Sequence, residues 1–163
     1  MPAREPLDPN PAPRIAALAT TTIKKRIAAI RDLGKSGNSA AVPYLVPALS
    51  DAHPAVRGET ALALGRLEDA DAVPALLPLL DDPVPDVRAA AIVALRKLHD
   101  ERAVNPLIRS LSDKDFRIRA GAAEVLGHLR NKRAQEALIA CAADPFSDVR
   151  EAAARARELL NKP

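Results

Sequence analysis

The chain has 163 residues, a formal net charge of +3, 48% hydrophobic residues and 2% aromatic residues, with no Trp. It can bury one core, built from Ala, Leu, Val and Ile, whose small side chains suit closely packed helices. The modest charge, mixed in sign along the chain, excludes the strong field of a dedicated nucleic-acid binder and leaves acidic partners allowed but not demanded.

Residues 1–13 carry five prolines, at 2, 6, 9, 11 and 13. Each removes a backbone donor and disfavours helix at the residue before it, so this stretch reads as a disordered or extended lead. It lacks the apolar core of a signal peptide, and no apolar run reaches the about 18 residues needed to span a bilayer, so a soluble, cytoplasmic protein is expected. From Arg14 the residues Ile15, Leu18, Ile23, Ile27, Ile30 and Leu33 fall at helical spacing. Ile15 and Leu18 read as the second half of a first helix whose start is lost to the lead.

A Val-Arg or Ile-Arg pair then returns every 31 residues, at Val56-Arg57, Val87-Arg88, Ile118-Arg119 and Val149-Arg150, with Arg26 one interval earlier. A gapless interval of this kind marks a repeat array. Residues 14–163 are expected to form one domain, divided near 14–37, 38–68, 69–99, 100–130 and 131–160.

Each copy reads as a helical hairpin. Asn38, Asp69, Asp100 and Asn131 share a column, and their side-chain oxygens can cap a helix, so a first helix, A, starts after each. It carries Leu45, Leu76, Leu107 and Leu138, then Leu49, Leu80, Leu111 and Ala142, as one apolar face that ends near Asp51, Asp82, Asp113 and Asp144. Pro47 and Pro78 fall inside helix A, where each lacks a donor and its ring clashes with the carbonyl four residues back. Helix A should therefore bend or restart there, and run straighter where Arg109 and Ala140 replace them. Pro54, Pro83, Pro85 and Pro145 mark the following turn, where proline suits the first turn of the next helix. Helix B then buries Val56, Ala61, Leu64 and Leu67, with matching sets Val87, Ile92, Leu95, Leu98 and Ile118, Ala123, Leu126, Leu129. Gly34, Gly65 and Gly127 share a column near its end, with Arg96 as the exception. Glycine inside a helix costs about 1 kcal/mol relative to alanine, which points to close approach between neighbouring helices.

The line Asp82, Val87, Arg88, Ala91, Leu95, Leu98, followed by Asp100-Glu101-Arg102-Ala103-Val104-Asn105-Pro106-Leu107-Ile108, resembles the HEAT repeat, and most of all the short bacterial type first named for phycobilisome (bilin) lyases. The resemblance covers roughly residues 14–160. It implies an all-α fold, an α-solenoid wound as a right-handed superhelix of about five HEAT-like hairpins, with helix B lining the concave surface. The first copy departs from the pattern, with Thr20 for Asp and Lys25 for Val, and the last is expected to end after one helix, so both read as solvent-facing caps. Variation among the copies marks a natural protein rather than a consensus design.

The arginine column Arg26, Arg57, Arg88, Arg119 and Arg150 reads as a structural ladder, each member able to bridge to Asp51, Asp82, Asp113 or Asp144 of its own or a neighbouring copy. The resemblance implies the same role. Catalytic constellations are missing. His53, His99 and His128 occupy different columns with no second ligand at i+3 or i+4, and no phosphate loop, nucleophile elbow or paired-Cys motif occurs, so neither metal nor cofactor is expected. The single Cys141 lies in an apolar segment and reads as a packed thiol. HEAT-like DNA glycosylases hold a damaged base with aromatic side chains; with only Tyr44, Phe116 and Phe146, none expected on the concave helices, this chain does not read as one.

The exposed face of helix B remains. Its columns are Ala28, Glu59, Ala90, Gly121, Ala152; Arg31, Leu62, Val93, Glu124, Arg155; and the basic row Lys35, Arg66, Lys97, His128. Leu62 and Val93 are expected to be solvent-exposed beside small Ala90 and Gly121, a shallow apolar strip with a basic edge that suits an acidic amphipathic helix or tail. Basic residues in a last helical turn also complement the helix dipole, which alone would place Lys35, Arg66 and Lys97. The function expected is a non-enzymatic protein-interaction scaffold or adaptor. Its alternatives are a bilin lyase subunit or phycobilisome-associated chromophore-handling factor, suggested by the family name alone, and weak nucleic-acid binding through the basic row.

Overall fold

The structure, a computed structural model, describes Leu18 and residues 22–162; most of the segment before Ile23, with the proline lead and Ile15, lies outside the described residues. Beyond Leu18, nine α-helices occur among the described residues, in chain order: α1 (Ile23–Lys35), α2 (Val42–Leu45), α3 (Pro54–Leu67), α4 (Val73–Leu76), α5 (Pro85–Leu98), α6 (Val104–Ser110), α7 (Phe116–Leu129), α8 (Gln135–Ala140) and α9 (Ser147–Asn161). No strand occurs among the described residues. The odd-numbered helices are the B helices and the even-numbered ones the A helices of an α-solenoid. Leu18 is helical and packs against the core.

Asn38, Asp69, Asp100 and Asn131 each accept the amide two residues on, and each opens a 3-10 turn that leads into its A helix. The prolines act as their chemistry requires. In the copies that hold Pro47 and Pro78, a four-residue α-helix gives way to a 3-10 stretch, Val46–Ser50 or Leu77–Asp81. With Arg109 in that position, α6 runs unbroken over seven residues. Leu45, Leu76, Leu107 and Leu138 are fully buried and Leu49, Leu80 and Leu111 nearly so. Ala142 is exposed, contrary to the expected column, and Cys141 beside it is buried instead. Its thiol lies 3.3 Å from the Ala137 carbonyl, and burial pushes the thiol pKa up. The last copy carries both helices, α8 and α9, rather than one.

B helices end on residues with left-handed backbone, again at the repeat interval: Gly37, Glu68, His99 and Arg130 have φ of 64°, 53°, 48° and 51°. Only the first is a glycine, so three copies carry a strained C-cap. The glycine column shows why a side chain is absent there. A Cβ built on Gly34 would fall 2.7 Å from Ala63 Cβ, one on Gly65 2.7 Å from Ala94 Cα, and one on Gly127 2.6 Å from Ala156 Cα. Three of the four neighbouring B-helix pairs thus approach backbone to backbone. The B helices form the more closely packed layer, and its open side is the face expected to line the inner surface of the solenoid.

Candidate functional site

The turns between A and B helices are tied by one motif repeated four times. In each turn Asp51, Asp82, Asp113 or Asp144 accepts, through Oδ1, the amide two residues on. The same carboxylate is gripped by the arginine 25 residues earlier. Arg26 Nε lies 2.9 Å from Asp51, and Arg57, Arg88 and Arg119 Nε each lie 2.7 Å from Asp82, Asp113 and Asp144. Meanwhile Nη1 of Arg57, Arg88, Arg119 and Arg150 donates to the main-chain carbonyl of the aspartate in its own turn, at 2.7–2.9 Å. Each rung therefore holds its own copy by the backbone and the next copy by the carboxylate. Arg150 is exposed and donates also to the Pro145 carbonyl, at 2.9 Å. Hydrogen bonds from Arg57 and Arg119 hold the Asp82 and Asp144 carboxyls below their ordinary range against the upward push of desolvation.

On the inward face of the B helices, Glu59 on α3 is the best-buried carboxylate, its side chain 11% exposed. Desolvation pushes its pKa up, but the hydrogen bonds and charges of Arg31, 2.8 Å away on α1, and of Arg66, 3.3 Å away on α3, overcome that and hold it low. Glu124 on α7 meets Arg155 of α9 at 3.6 Å. Lys35, Arg66, Lys97 and His128 are all exposed, in register at the ends of α1, α3, α5 and α7. His128 Nδ1 lies 2.7 Å from the Glu124 carbonyl, which can only accept, so Nδ1 carries the proton and Nε2 faces away from that bond. A hollow between α7 and α9 is lined by Glu124, His128, Ala152, Arg155, Leu159 and Lys162, among others.

Two expectations about the apolar strip need correction. Ala90 is buried, because Gly58 of the preceding B helix packs on it; a Cβ on Gly58 would sit 3.8 Å from Ala90 Cβ. Leu62 is half-buried and packs against the core, and only Val93, 41% exposed, stands clear of the surface. The column of Ala90, Gly121 and Ala152 is a seam between neighbouring helices rather than an open face.

Three features escaped the sequence reading. Phe116 is the first residue of α7, so an aromatic does lie on a B helix, and it stacks on Phe146 with centroids 4.5 Å apart. Arg119 lies over the Phe146 ring, 5.6 Å from its centroid. Arg117 closes on Asp115 and drives that carboxyl down to about 2. Both pairings depend on side chains 30 and 2 residues apart, for which the 31-residue interval carries no signal. Among the described residues no group of three or more His, Cys, Asp or Glu could hold a metal ion, and no helix is long and apolar enough to cross a membrane.

A family described as HEAT repeats matches residues 11–96 and 73–157. The chain is similar to one in the complex of CpcE and CpcF of phycocyanin lyase from Nostoc sp. PCC7120, with 30% identity and a TM-score of 0.81 over 100% of this chain and 69% of that one. It also resembles a designed armadillo repeat protein solved in complex with the peptide (KR)4, at 23% identity and a TM-score of 0.70 over 91% of this chain and 81% of the design. No curated protein matches the sequence.

Proposed function

The chain belongs to the HEAT-repeat family, with short bacterial repeats of the phycobilisome lyase type, and we propose that it works as a non-enzymatic interaction scaffold whose partner lies along the inward face of the B helices. The observation that carries this reading is the exposed row Lys35, Arg66, Lys97 and His128, one per B helix, running beside Leu62 and Val93. A linear partner with carboxylates along one edge and apolar groups along the other complements such a face. Repeat solenoids bind extended partners in this way, and the neighbours are a protein complex and a peptide-bound design. The test is charge reversal at Lys35, Arg66 and Lys97, followed by pull-down from the native lysate. A partner retained by the wild type and lost by the K35E/R66E/K97E variant supports the scaffold; an unchanged partner set sinks it.

One observation favours a second reading. The 30% identity to a chain of the phycocyanin lyase complex extends over the whole of this sequence, which supports a chromophore-handling subunit. Titration with a bilin separates the two: a lyase-type subunit perturbs the chromophore's absorbance and a pure adaptor leaves it unchanged. Binding that instead falls steeply with added salt, on an oligonucleotide, would favour the nucleic-acid alternative.

A further inference from the structure

Neighbouring B helices meet in one register, with a residue of the glycine column facing the residue 29 positions later. Three of the described joints are Gly34 on Ala63, Gly65 on Ala94 and Gly127 on Ala156. Between α5 and α7 Gly121 meets Ile92 at the same 29-residue offset, and that register pairs Arg96 with Val125. Two side chains too large for backbone contact stand where the other joints have almost none. Accordingly α5 and α7 lie in lesser contact than the pairs on either side. They still approach at mid-helix, where a Cβ on Gly121 would come 3.2 Å from Ile92 Cγ2. This is the least closely packed of the B-helix joints, with Val125 buried in it and Arg96 and Lys97 exposed at its C-terminal end.

The charges around this joint do not cancel. The two carboxylates of the face are already engaged, Glu59 by Arg31 and Arg66 and Glu124 by Arg155. Arg96 and Lys97 are exposed and form no ion pair within 4.0 Å among the described residues. One basic residue in the last turn serves the helix dipole in α3 and α7, as Arg66 and His128 do. Arg96 is a second one, at a position that elsewhere demands glycine. Val93 lies one turn before Arg96 and Lys97 and is the exposed large aliphatic residue of α5.

We infer that the α5–α7 joint is the seat of the partner: an acidic segment of another protein lays an apolar side chain on Val93 and its carboxylates on Arg66, Arg96 and Lys97. This rests on the scaffold reading of the inward face. A nucleic acid fits less well, because the one aromatic of α3, α5 and α7, Phe116, is already stacked on Phe146 and offers no free ring to a base.

The test uses fluorescence anisotropy with a labelled synthetic peptide that carries leucines at i and i+4 among glutamates, and a counterpart with glutamine for every glutamate. The wild-type protein should bind the glutamate peptide at least about tenfold more tightly than the glutamine one. The R96G/V125A variant recreates the pair found at the other three joints. It should bind the glutamate peptide about tenfold more weakly while melting at the same or a higher temperature, so lost binding cannot be lost folding. Should that variant fail to fold, V93D carries the same expectation of weakened binding. Equal affinity for the two peptides, unchanged affinity in R96G/V125A, or displacement of the peptide by an oligothymidylate at lower concentration than by unlabelled peptide overturns the inference. If K35E/R66E/K97E loses a native partner that R96G/V125A retains, the scaffold stands and the joint falls.

Discussion

Arg57 reaches Asp82 of the next copy with two parallel hydrogen bonds, Nε to Oδ2 at 2.7 Å and Nη2 to Oδ1 at 2.9 Å, while its Nη1 donates to the Asp51 carbonyl at 2.9 Å. One planar guanidinium thus spans two copies, and only arginine has the fork to do so. Arg88, 4% exposed, also spans two copies: Nη2 donates to Asp113 Oδ1 at 2.9 Å, Nη1 donates to the Asp82 carbonyl at 2.8 Å, and Nε lies in ion-pair contact with Asp113 at 2.7 Å. Arg88→Ala leaves the Asp113 carboxylate and the Asp82 carbonyl without this donor, at a cost of about 3 kcal/mol. Urea unfolding should register that loss, and Arg88→Lys should recover little of it. Affinity for the acidic peptide, read by anisotropy below the unfolding transition, should stay within about twofold, since the rung faces the turns and not the inward face. Lost binding with an unmoved unfolding curve would instead make the arginine column the site.

The same rungs set the response to acid. The Asp82 and Asp144 carboxyls are held below their ordinary range, chiefly by hydrogen bonds from Arg57 and Arg119. A carboxyl whose folded pKa is depressed binds fewer protons folded than unfolded, so its stabilisation is fully present above the unfolded value of about 4. It is lost as pH falls from there through the folded values. Unfolding free energy measured at steps from pH 7 downward should be level above about pH 5 and decline below about pH 4. The D82N/D144N double variant should show a shallower decline. An equal slope in both proteins would assign the acid sensitivity elsewhere.

Close approach at the glycine column reverses the usual effect of an alanine. Helix propensity alone would have Gly65→Ala gain about 1 kcal/mol. A Cβ there falls 2.7 Å from the Ala94 backbone, which cannot rotate away, so the α3–α5 joint must open and a net loss of about 1–3 kcal/mol is expected. Gly58 in the same helix has only Ala90 Cβ, at 3.8 Å, and Gly58→Ala should gain up to about 1 kcal/mol. Thermal melts of the two variants should move in opposite directions. A shift of the same sign would show that the joint is softer than its geometry indicates.

The interval of the repeat made most of the fold legible, because each column sums several weak signals into one strong one. Asn38 alone is a poor sign of a cap; four Asn or Asp residues in register are a good one. Columns failed where copies differ or where neighbours add cover. Ala142 shares the column of Leu49, Leu80 and Leu111 and is nevertheless exposed, while Cys141 is buried like Leu79 and Ser110 of its own column. The column of Ala90 faces away from its own hairpin, and no sequence column shows that Gly58 of the copy before lies on it. The ladder was legible as arginine and aspartate, but the choice of the next copy's carboxylate depends on how one copy is rotated against another. Arg96 was visible as the odd member of its column. Its meaning required the 29-residue register between neighbouring B helices, which the glycine contacts of the stacked structure supply.

C-terminal caps offer a gain rather than a loss. Glu68 closes α3 with φ of 53°, a conformation that strains a side-chain-bearing residue and leaves glycine at ease. Gly37 fills the equivalent position after α1. Glu68→Gly should therefore raise stability by about 1 kcal/mol. Asp69 beside it caps the next 3-10 turn through the Asp71 amide, and Asp69→Ala should lower stability by about 1 kcal/mol. Calorimetric melts of the two single variants provide opposite shifts from adjacent residues; a destabilised Glu68→Gly would mean that Glu68 has a role beyond its backbone.

Glu59 is where the electrostatics of the inward face can be changed with least disturbance to its shape. Its carboxylate neutralises Arg31 and Arg66 at once, and it is held ionised against its own desolvation by those two arginines. Glu59→Gln keeps the volume and an accepting oxygen but releases one unit of positive charge onto a face that already carries unpaired Lys35, Arg96 and Lys97. A carboxylate held ionised by two arginines contributes stability at neutral pH, so the melting temperature should fall slightly, and binding is compared well below the transition. The acidic peptide should bind about threefold more tightly at low salt, and the gain should shrink as added salt screens the face. Anisotropy titrations at low and high ionic strength measure both. A Glu59→Gln protein that binds the peptide no better than wild type at low salt would mean that the positive charge of the face does not drive recognition.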